Sequence, residues 1–146
     1  MKAMSENIIS FDKYYSDIAL AIDNCKKTVQ KSINNAMVML YWTIGEYLVC
    51  NVLDNSKAEY GQRIIEDLAQ KLSLNYGKGF EKSALFRMIK FYREFPNSEK
   101  VATLSQQLTW SHFVELLPIE DELKRNFYAV TCSNENWSLK CLLKKF

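Results

Sequence analysis

With 146 residues, of which 48% are apolar and 25% charged, the chain has the composition of a folded domain and can bury one adequate core. Four glycines and two prolines leave few places to turn, and no long run alternates apolar and polar residues, which argues against a sheet. The formal net charge of +2 by itself excludes no class of function. The sequence predicts an all-α fold in a single domain, residues 1–146.

A long helix over residues 11–52 is predicted to follow a loosely held start at 1–10. Apolar residues recur there every three or four positions, and Gly45 is its only glycine. At 1.5 Å per residue such a helix is about 60 Å long, so it must bend or project from the domain. Its second half is apolar on both faces and is expected to enter the core. The first half is expected to serve a partner, through three apolar residues: Ile18, Ile22 and Val29.

The segment 60–96 is predicted to form two amphipathic helices joined by a glycine-containing turn, the outline of a helix-turn-helix. An apolar stripe runs from Ile64 to Leu72, the turn falls at residues 74–79, and a second stripe runs from Leu85 to Phe95. Pro96 ends the second helix. Seven basic residues against four acidic ones make this segment locally positive.

Further helices are expected in the C-terminal part, 104–146, after a polar connection at 97–100. Thr109 or Ser111 is expected to cap a helix that Pro118 ends. The next helix is predicted at about 119–131, and a last helix with a basic outer face at 137–146. The inward residues predicted for the helix at 119–131 are Leu123, Phe127, Tyr128 and Val130.

The sequence predicts no metal site, no cofactor and no membrane segment. Four cysteines form no CxxC pair and only one histidine is present, so a zinc site is not expected. Two of the cysteines occupy apolar helical positions and are interpreted as reduced, half-buried thiols. The longest purely apolar run, 36–42, is far shorter than the roughly 20 residues that span a bilayer. The N-terminus resembles no secretion signal, and a cytoplasmic location is predicted.

No catalytic residue and no small-molecule substrate are predicted. The tripeptide Glu122-Leu123-Lys124 has the Glu-x-Lys spacing of a nuclease metal site, but it lies in a helical pattern, and such tripeptides are common by chance. His112 follows Ser111 directly, and adjacent helical residues point in different directions, so nucleophile activation is not indicated. A structural histidine is the interpretation adopted.

Basic residues on the second helix of 60–96 suggest DNA binding. In a helix-turn-helix the N-terminal part of the second helix meets base edges, which makes Lys82, Ser83 and Arg87 the candidate readers. Phosphate contacts are assigned to Lys78, Lys90 and Arg93. Two alternatives remain open. The basic residues can be an ordinary solvated face, or the chain can be a protein-interaction or dimerisation module that makes no contact with nucleic acid.

Four segments in order carry a resemblance to a known family: LYWTIGEYL at 40–48, the whole of 60–96, LSQQLTWSHFVELLPIEDELKRNFYA at 104–129, and NWSLKCLLKKF at 136–146. Together they resemble the N-terminal domain of the bacterial YhcG-like PD-(D/E)XK nucleases, a family described as a domain of unknown function.

The resemblance implies a helical DNA-binding or assembly module that precedes a nuclease domain. The chain ends at Phe146, where that nuclease domain would begin, so the catalytic half is expected to be absent. A nuclease domain is therefore a possible partner, besides DNA and a second copy of this chain. The family pattern tends to place Ser or Thr where Glu81 stands, and arginine where Phe86 and Ile89 stand.

Overall fold

A computed structural model describes the backbone of residues 2–54 and 57–145, and the side chains of 11–54 and 57–145. Within these ranges all regular structure is helical, which confirms the predicted all-α fold. In chain order the elements are α1 (Lys2–Tyr47), a π-helical segment (Leu48–Leu53), α2 (Ala58–Tyr76), α3 (Lys82–Glu94), α4 (Ser98–Leu104), α5 (Trp110–Leu116), α6 (Glu122–Asn134) and α7 (Leu139–Leu143).

Helix α1 contributes to two compact units, Met1–Ile33 and Asn34–Phe146. It begins at Lys2, before the predicted start at Phe11, because no glycine or proline interrupts the helix in this stretch. At its other end α1 is followed directly by the π-helical segment, which ends at Leu53, one residue beyond the predicted helix at 11–52. The cores described below lie in the second unit.

The second unit contains two hydrophobic clusters, and α3 belongs to both. In the first cluster the C-terminal half of α3 packs with α1, α4, α5, α6 and α7; Phe91, Phe95 and Phe113 are at its centre. In the second cluster the N-terminal half of α3 packs with the π-helical segment and α2, through Leu85, Met88 and others. These apolar stripes of α2 and α3 are the predicted ones, with Phe91 as an addition that the pattern did not single out.

Helix α1 approaches the backbone of α3 at Gly45. A Cβ atom placed on Gly45 would overlap the Met88 carbonyl oxygen, and it would lie 2.8 Å from the Met88 carbonyl carbon and 3.2 Å from Cβ of Tyr92. Only glycine permits this approach, because any side chain would meet main-chain atoms that cannot rotate away. One turn earlier, Trp42 donates a hydrogen bond from Nε1 to the Phe95 carbonyl at 2.7 Å. These contacts fix α3 against the second half of α1.

A buried arginine holds the C-terminal end of α3. Arg125 of α6 is 3% exposed. Its guanidinium donates to the Ile119 carbonyl at 2.8 Å and pairs with the Glu94 carboxylate at 2.8 Å. It also lies over the Phe95 ring, 5.7 Å from the centroid. A buried cation of this kind requires such partners, because desolvating it without them is costly.

Two predictions about the C-terminal part are wrong. The stretch 97–100 is not an open connection, because Asn97 caps α4 by accepting a hydrogen bond from the Lys100 amide at 3.1 Å. The inward face assigned to α6 is also incorrect at three positions. Leu123 is 82% exposed, Phe127 63% and Val130 42%, while the helix buries Ala129, Cys132 and the Arg125 described above. The need to satisfy Arg125 and the first cluster decides which face of α6 turns inward.

The four cysteines differ in exposure. Cys25 and Cys50 are exposed, Cys141 is half-buried and Cys132 is buried, and all four are free thiols. Burial raises the pKa of the Cys132 thiol to about 11. The interpretation as half-buried thiols therefore applies to Cys141.

The helical stretch Phe11–Leu53 contains an 18-residue window with a mean hydropathy of 1.4, of which 28% is buried. By length and composition alone this stretch could cross a membrane. Core helices meet the same criterion, and Val38, Trp42 and Leu48 of this stretch lie in the two hydrophobic clusters. The absence of a membrane segment stays a prediction.

We expect Gly45→Ala to destabilise the protein by about 2 kcal/mol, although alanine is the better helix former. The added methyl group must push α1 away from the Met88 carbonyl. Chemical denaturation of the variant measures this loss, with the exposed neighbour Thr43→Ala as the control. A Gly45→Ala protein at least as stable as the wild type would contradict the close approach of the two helices.

Candidate nucleic-acid interface

Local sequence features define both ends of α3. The turn before it contains Gly77 at φ 81° and Gly79 at φ 108°, conformations that glycine adopts without strain. Glu81 occupies the N-cap position with an extended backbone, but its side chain makes no capping hydrogen bond. At the other end the helix stops at Glu94, because Pro96 excludes the helical conformation for the residue before it.

The structure places five of the six predicted DNA-binding residues on one exposed face of α3. Helical geometry of about 100° per residue puts Ser83, Arg87 and Lys90 in one row, with Lys82 and Arg93 in the row beside it. All five are exposed, while the opposite side of the helix enters the two clusters. The sixth, Lys78, is exposed in the turn before α3. We call the five helical residues the α3 basic face.

One cation of the α3 basic face is paired. The Lys82 ammonium lies 2.7 Å from the Glu66 carboxylate of α2, and both side chains are substantially exposed. The hydrogen bond and charge of Lys82 lower the pKa of Glu66. The carboxylate is therefore ionised through the neutral range. It offsets the charge of Lys82 and ties α3 to α2.

The other three cations have no carboxylate at ion-pair distance among the described residues. Arg87, Lys90 and Arg93 follow one another at a spacing of three, which spans about 9 Å. Like charges at this spacing repel and destabilise an isolated helix by a few tenths of a kcal/mol per pair. The nearby acid Glu94 does not relieve this repulsion, because Arg125 holds its carboxylate. The α3 basic face thus keeps a net positive charge.

An open groove lies between α2 and α3, beside the basic face. It has a volume of about 820 Å³, and its lining includes Glu66, Asp67 and Glu81 as well as Lys82. The boundary between positive face and acidic groove runs through the Lys82–Glu66 pair. Glu66 was not predicted as a determinant of this surface, since nothing in the sequence pattern links it to a residue in the next helix.

His112 lies in the first turn of α5, and the Glu-x-Lys tripeptide lies in the first turn of α6. Nδ1 of His112 accepts a hydrogen bond from the Thr109 amide at 3.1 Å, so Nε2 carries the proton and donates to the Trp137 carbonyl at 2.9 Å. Thr109 is the N-cap of α5, one of the two predicted caps. Glu122 and Lys124 lie in the first turn of α6 behind the N-cap Asp121. Within the described residues no group of three His, Cys, Asp or Glu residues could hold a metal ion.

The predicted partner-binding residues of α1 are exposed. Ile18 is 62% exposed, Ile22 50% and Val29 51%. Phe11 and Tyr15 lie on the same helix at 68% each. These residues belong to the first unit, and the apolar side chains are large enough to bury substantial area against a partner.

Comparison with known proteins identifies one family. The family model described as the DUF1016 N-terminal domain matches residues 17–146. No curated protein and no solved structure matches the chain. The match covers α3 and the rest of the second unit.

Replacing Glu81 with aspartate should stabilise α3. Aspartate keeps the negative charge at the helix N-terminus and is short enough to accept a hydrogen bond from the first-turn amides, which Glu81 does not do. We expect Glu81→Asp to raise the free energy of unfolding by about 0.5–1 kcal/mol. Denaturant titration measures the change, and Glu81→Ala is the control that removes the negative charge without supplying a capping oxygen. An Asp variant no more stable than the wild type would contradict this account.

Proposed function

The chain belongs to the DUF1016 N-terminal domain family, and from the α3 basic face we propose that it is a non-catalytic module that binds double-stranded DNA. The observation that carries the proposal is the exposure of Arg87, Lys90 and Arg93 on one side of α3, with no carboxylate at ion-pair distance among the described residues. A phosphate backbone would neutralise these charges and relieve their mutual repulsion.

The dimensions and support of α3 suit this role. An α-helix fits the major groove of B-DNA, which is about 12 Å wide. The buried side of α3 is fixed by both hydrophobic clusters and by the contact with Gly45, so the exposed side is presented on a rigid element. A rigid helix loses little conformational entropy when it binds.

The six residues divide into two roles under this proposal. Ser83 and Arg87, near the N-terminus of α3, approach base edges. Lys82 also approaches them after its ion pair with Glu66 is replaced by a contact with DNA. Lys78, Lys90 and Arg93 contact phosphates and set the affinity more than the choice of sequence. With so few charges, binding is expected to be weak and strongly dependent on salt.

Arg87→Ala combined with Lys90→Ala should abolish measurable binding at moderate salt. At low salt, the slope of log affinity against log salt concentration should fall by about 0.9, because the phosphate contact of Lys90 is lost, while the loss of Arg87 removes a base contact. Fluorescence anisotropy of a labelled duplex measures both effects. The matched control is Lys71→Ala with Lys124→Ala, which removes the same charge from exposed positions on α2 and α6. Equal loss in both double variants would show a general charge effect and overturn the assignment to α3.

Glu66→Gln should strengthen DNA binding. The substitution releases Lys82 from its 2.7 Å ion pair and removes a negative charge beside the α3 basic face. We expect an affinity gain of about threefold to tenfold at low salt. Glu135→Gln raises the net charge equally from an exposed position at the end of α6, and it serves as the control. If both variants gain the same affinity, Glu66 does not restrain Lys82 in the way proposed.

The proposal includes association with a PD-(D/E)XK-type nuclease, which would supply the catalysis that this chain is proposed to lack. Two features support a non-catalytic role: the helical position of Glu122 and Lys124, and the structural hydrogen bonds of His112. Incubation of the labelled duplex with Mg²⁺ tests this. Cleavage by the purified chain that Glu122→Ala abolishes would overturn it.

A second candidate function, protein interaction, is favoured by the exposed apolar residues of α1. Ile18, Ile22 and Val29 each expose half or more of their surface. Burial of such side chains contributes about 1.5–3 kcal/mol each. This function is compatible with DNA binding, because the residues involved lie on different helices.

A further inference from the structure

The exposed apolar residues of α1 follow a heptad pattern. Phe11, Tyr15, Ile18, Ile22, Cys25 and Val29 are separated by four, three, four, three and four positions, and all are exposed. This alternation is the signature of a coiled-coil seam. Tyr15, Ile22 and Val29 take the a positions, and Phe11, Ile18 and Cys25 take the d positions. We call these six residues the α1 seam.

The heptad pattern stops where α1 enters the second unit. The next seam position after Val29 is Ser32, whereas the next apolar residue is Ile33, one position later. Such a shift of the stripe ends a regular left-handed seam. From there the buried residues of the helix are those of the core, beginning with Val38. The α1 seam is thus confined to the part of the helix whose side chains are exposed.

Charge along residues 11–33 of α1, the segment that contains the seam, is divided between its two halves. The half before residue 24 carries Asp12, Asp17 and Asp23 against a single lysine, Lys13. The half after it carries only cations: Lys26, Lys27 and Lys31. A parallel second copy would place acid against acid and base against base. An antiparallel second copy places the acidic half of each helix opposite the basic half of the other, which is the complementary arrangement.

One antiparallel register satisfies both the seam and the charges. With the two helices crossing at Leu20, the layers are Phe11 with Val29, Tyr15 with Cys25 and Ile18 with Ile22, each formed twice by symmetry. In the same register the e positions Asp12 and Lys26 of opposite helices are neighbours. Positions at e and g flank the seam and form the interhelical ion pairs that set orientation. The two criteria are independent, and they select the same alignment.

We propose that the α1 seam is a self-association surface, and that its occupant is the α1 seam of a second copy in antiparallel orientation. The inference rests on the interaction role proposed for α1 and is independent of DNA binding. The seam extends about 27 Å from Phe11 to Val29, and burial of its paired aromatic and β-branched side chains is what would hold two copies together. Isologous pairing about a two-fold axis is the commonest form of self-association.

Sedimentation equilibrium over a concentration range up to about 100 μM, where micromolar pairing is populated, is the first test. The wild type should form a dimer, and Ile22→Asp should raise its dissociation constant at least ~100-fold, because two charges enter the seam. Leu20→Asp is the matched control. It is on the same helix and 60% exposed, but it lies outside the seam, so it should leave the constant within about twofold.

Disulfide trapping tests the orientation. In a background with Cys50→Ser and Cys141→Ser, oxidation of Tyr15→Cys should link the new cysteine of one copy to Cys25 of the other. The same link within one chain is excluded, because the two positions are about 15 Å apart along the helix. Cys132 is buried and does not compete. In the background without Tyr15→Cys no dimer should be trapped, and a Cys25–Cys25 link would overturn the antiparallel orientation.

Charge exchange tests the register. Asp12→Lys and Lys26→Asp should each weaken the dimer about threefold to tenfold, and the double variant should recover wild-type affinity, since it restores both pairs. Failure of the double variant to recover would contradict the register.

A wild type that stays monomeric throughout, or that associates with anionic lipid vesicles through Ile22 instead of with itself, would overturn self-association. The interaction role of α1 would survive a monomer that still captured another protein through Ile22. That role would be contradicted if Ile22→Asp and Leu20→Asp had the same effect on every binding measurement.

Discussion

The position of α3 in the second unit depends on the contact of α1 with α3 at Gly45. The main chain of α1 meets the carbonyl of Met88, and this approach places one side of α3 against α1 while its two ends complete two separate clusters. A helix that is buried along its whole length on one side has no freedom to rotate. The side with Arg87, Lys90 and Arg93 therefore faces outward, because the opposite side of α3 is buried in the two clusters.

Ion pairing decides which basic residues are available to a ligand. Arg125 is as basic as Arg87, yet it is buried and holds Glu94 and the Ile119 carbonyl, so its role is structural. Lys82 is exposed but shares its charge with Glu66. The net positive charge of α3 thus depends on three residues, fewer than the seven basic residues of the segment 60–96 suggest. Electrostatic attraction by this surface is modest and adjustable by single substitutions.

Among the described residues, α1 and α6 each carry a stripe of apolar residues that the fold does not cover. On α6, Leu123, Phe127 and Val130 form a short exposed stripe. On α1 the stripe is longer, follows a heptad rule and is flanked by charges of opposite sign in its two halves. The stripe on α1 therefore supports the proposed pairing with a second copy, whereas nothing among the described residues indicates what would cover the stripe on α6. Under the two proposals above, pairing through α1 would increase avidity for DNA without any change at the DNA contact.

The sequence by itself determined most of the helices, the cap at Thr109, the end of α3 before Pro96 and the turn before α3. Periodicity, Thr109, Pro96 and the glycines of 74–79 act within a few residues, so their effect can be read locally. It also selected the residues that α3 exposes, because the stripe of apolar residues on that helix is unambiguous. The same local rules separated the half of α1 that enters the core from the half that faces a partner, but they did not specify a coiled-coil seam.

Only the tertiary structure decided the features that join residues distant in sequence. The requirement for glycine at position 45 arises from Met88, and the partial neutralisation of Lys82 arises from Glu66 in another helix. The inward face of α6 carries Arg125, whose guanidinium pairs with Glu94 of α3, and it leaves Leu123 and Phe127 exposed. Each depends on which side chains the fold brings together, and a pattern within one helix carries no information about its neighbour.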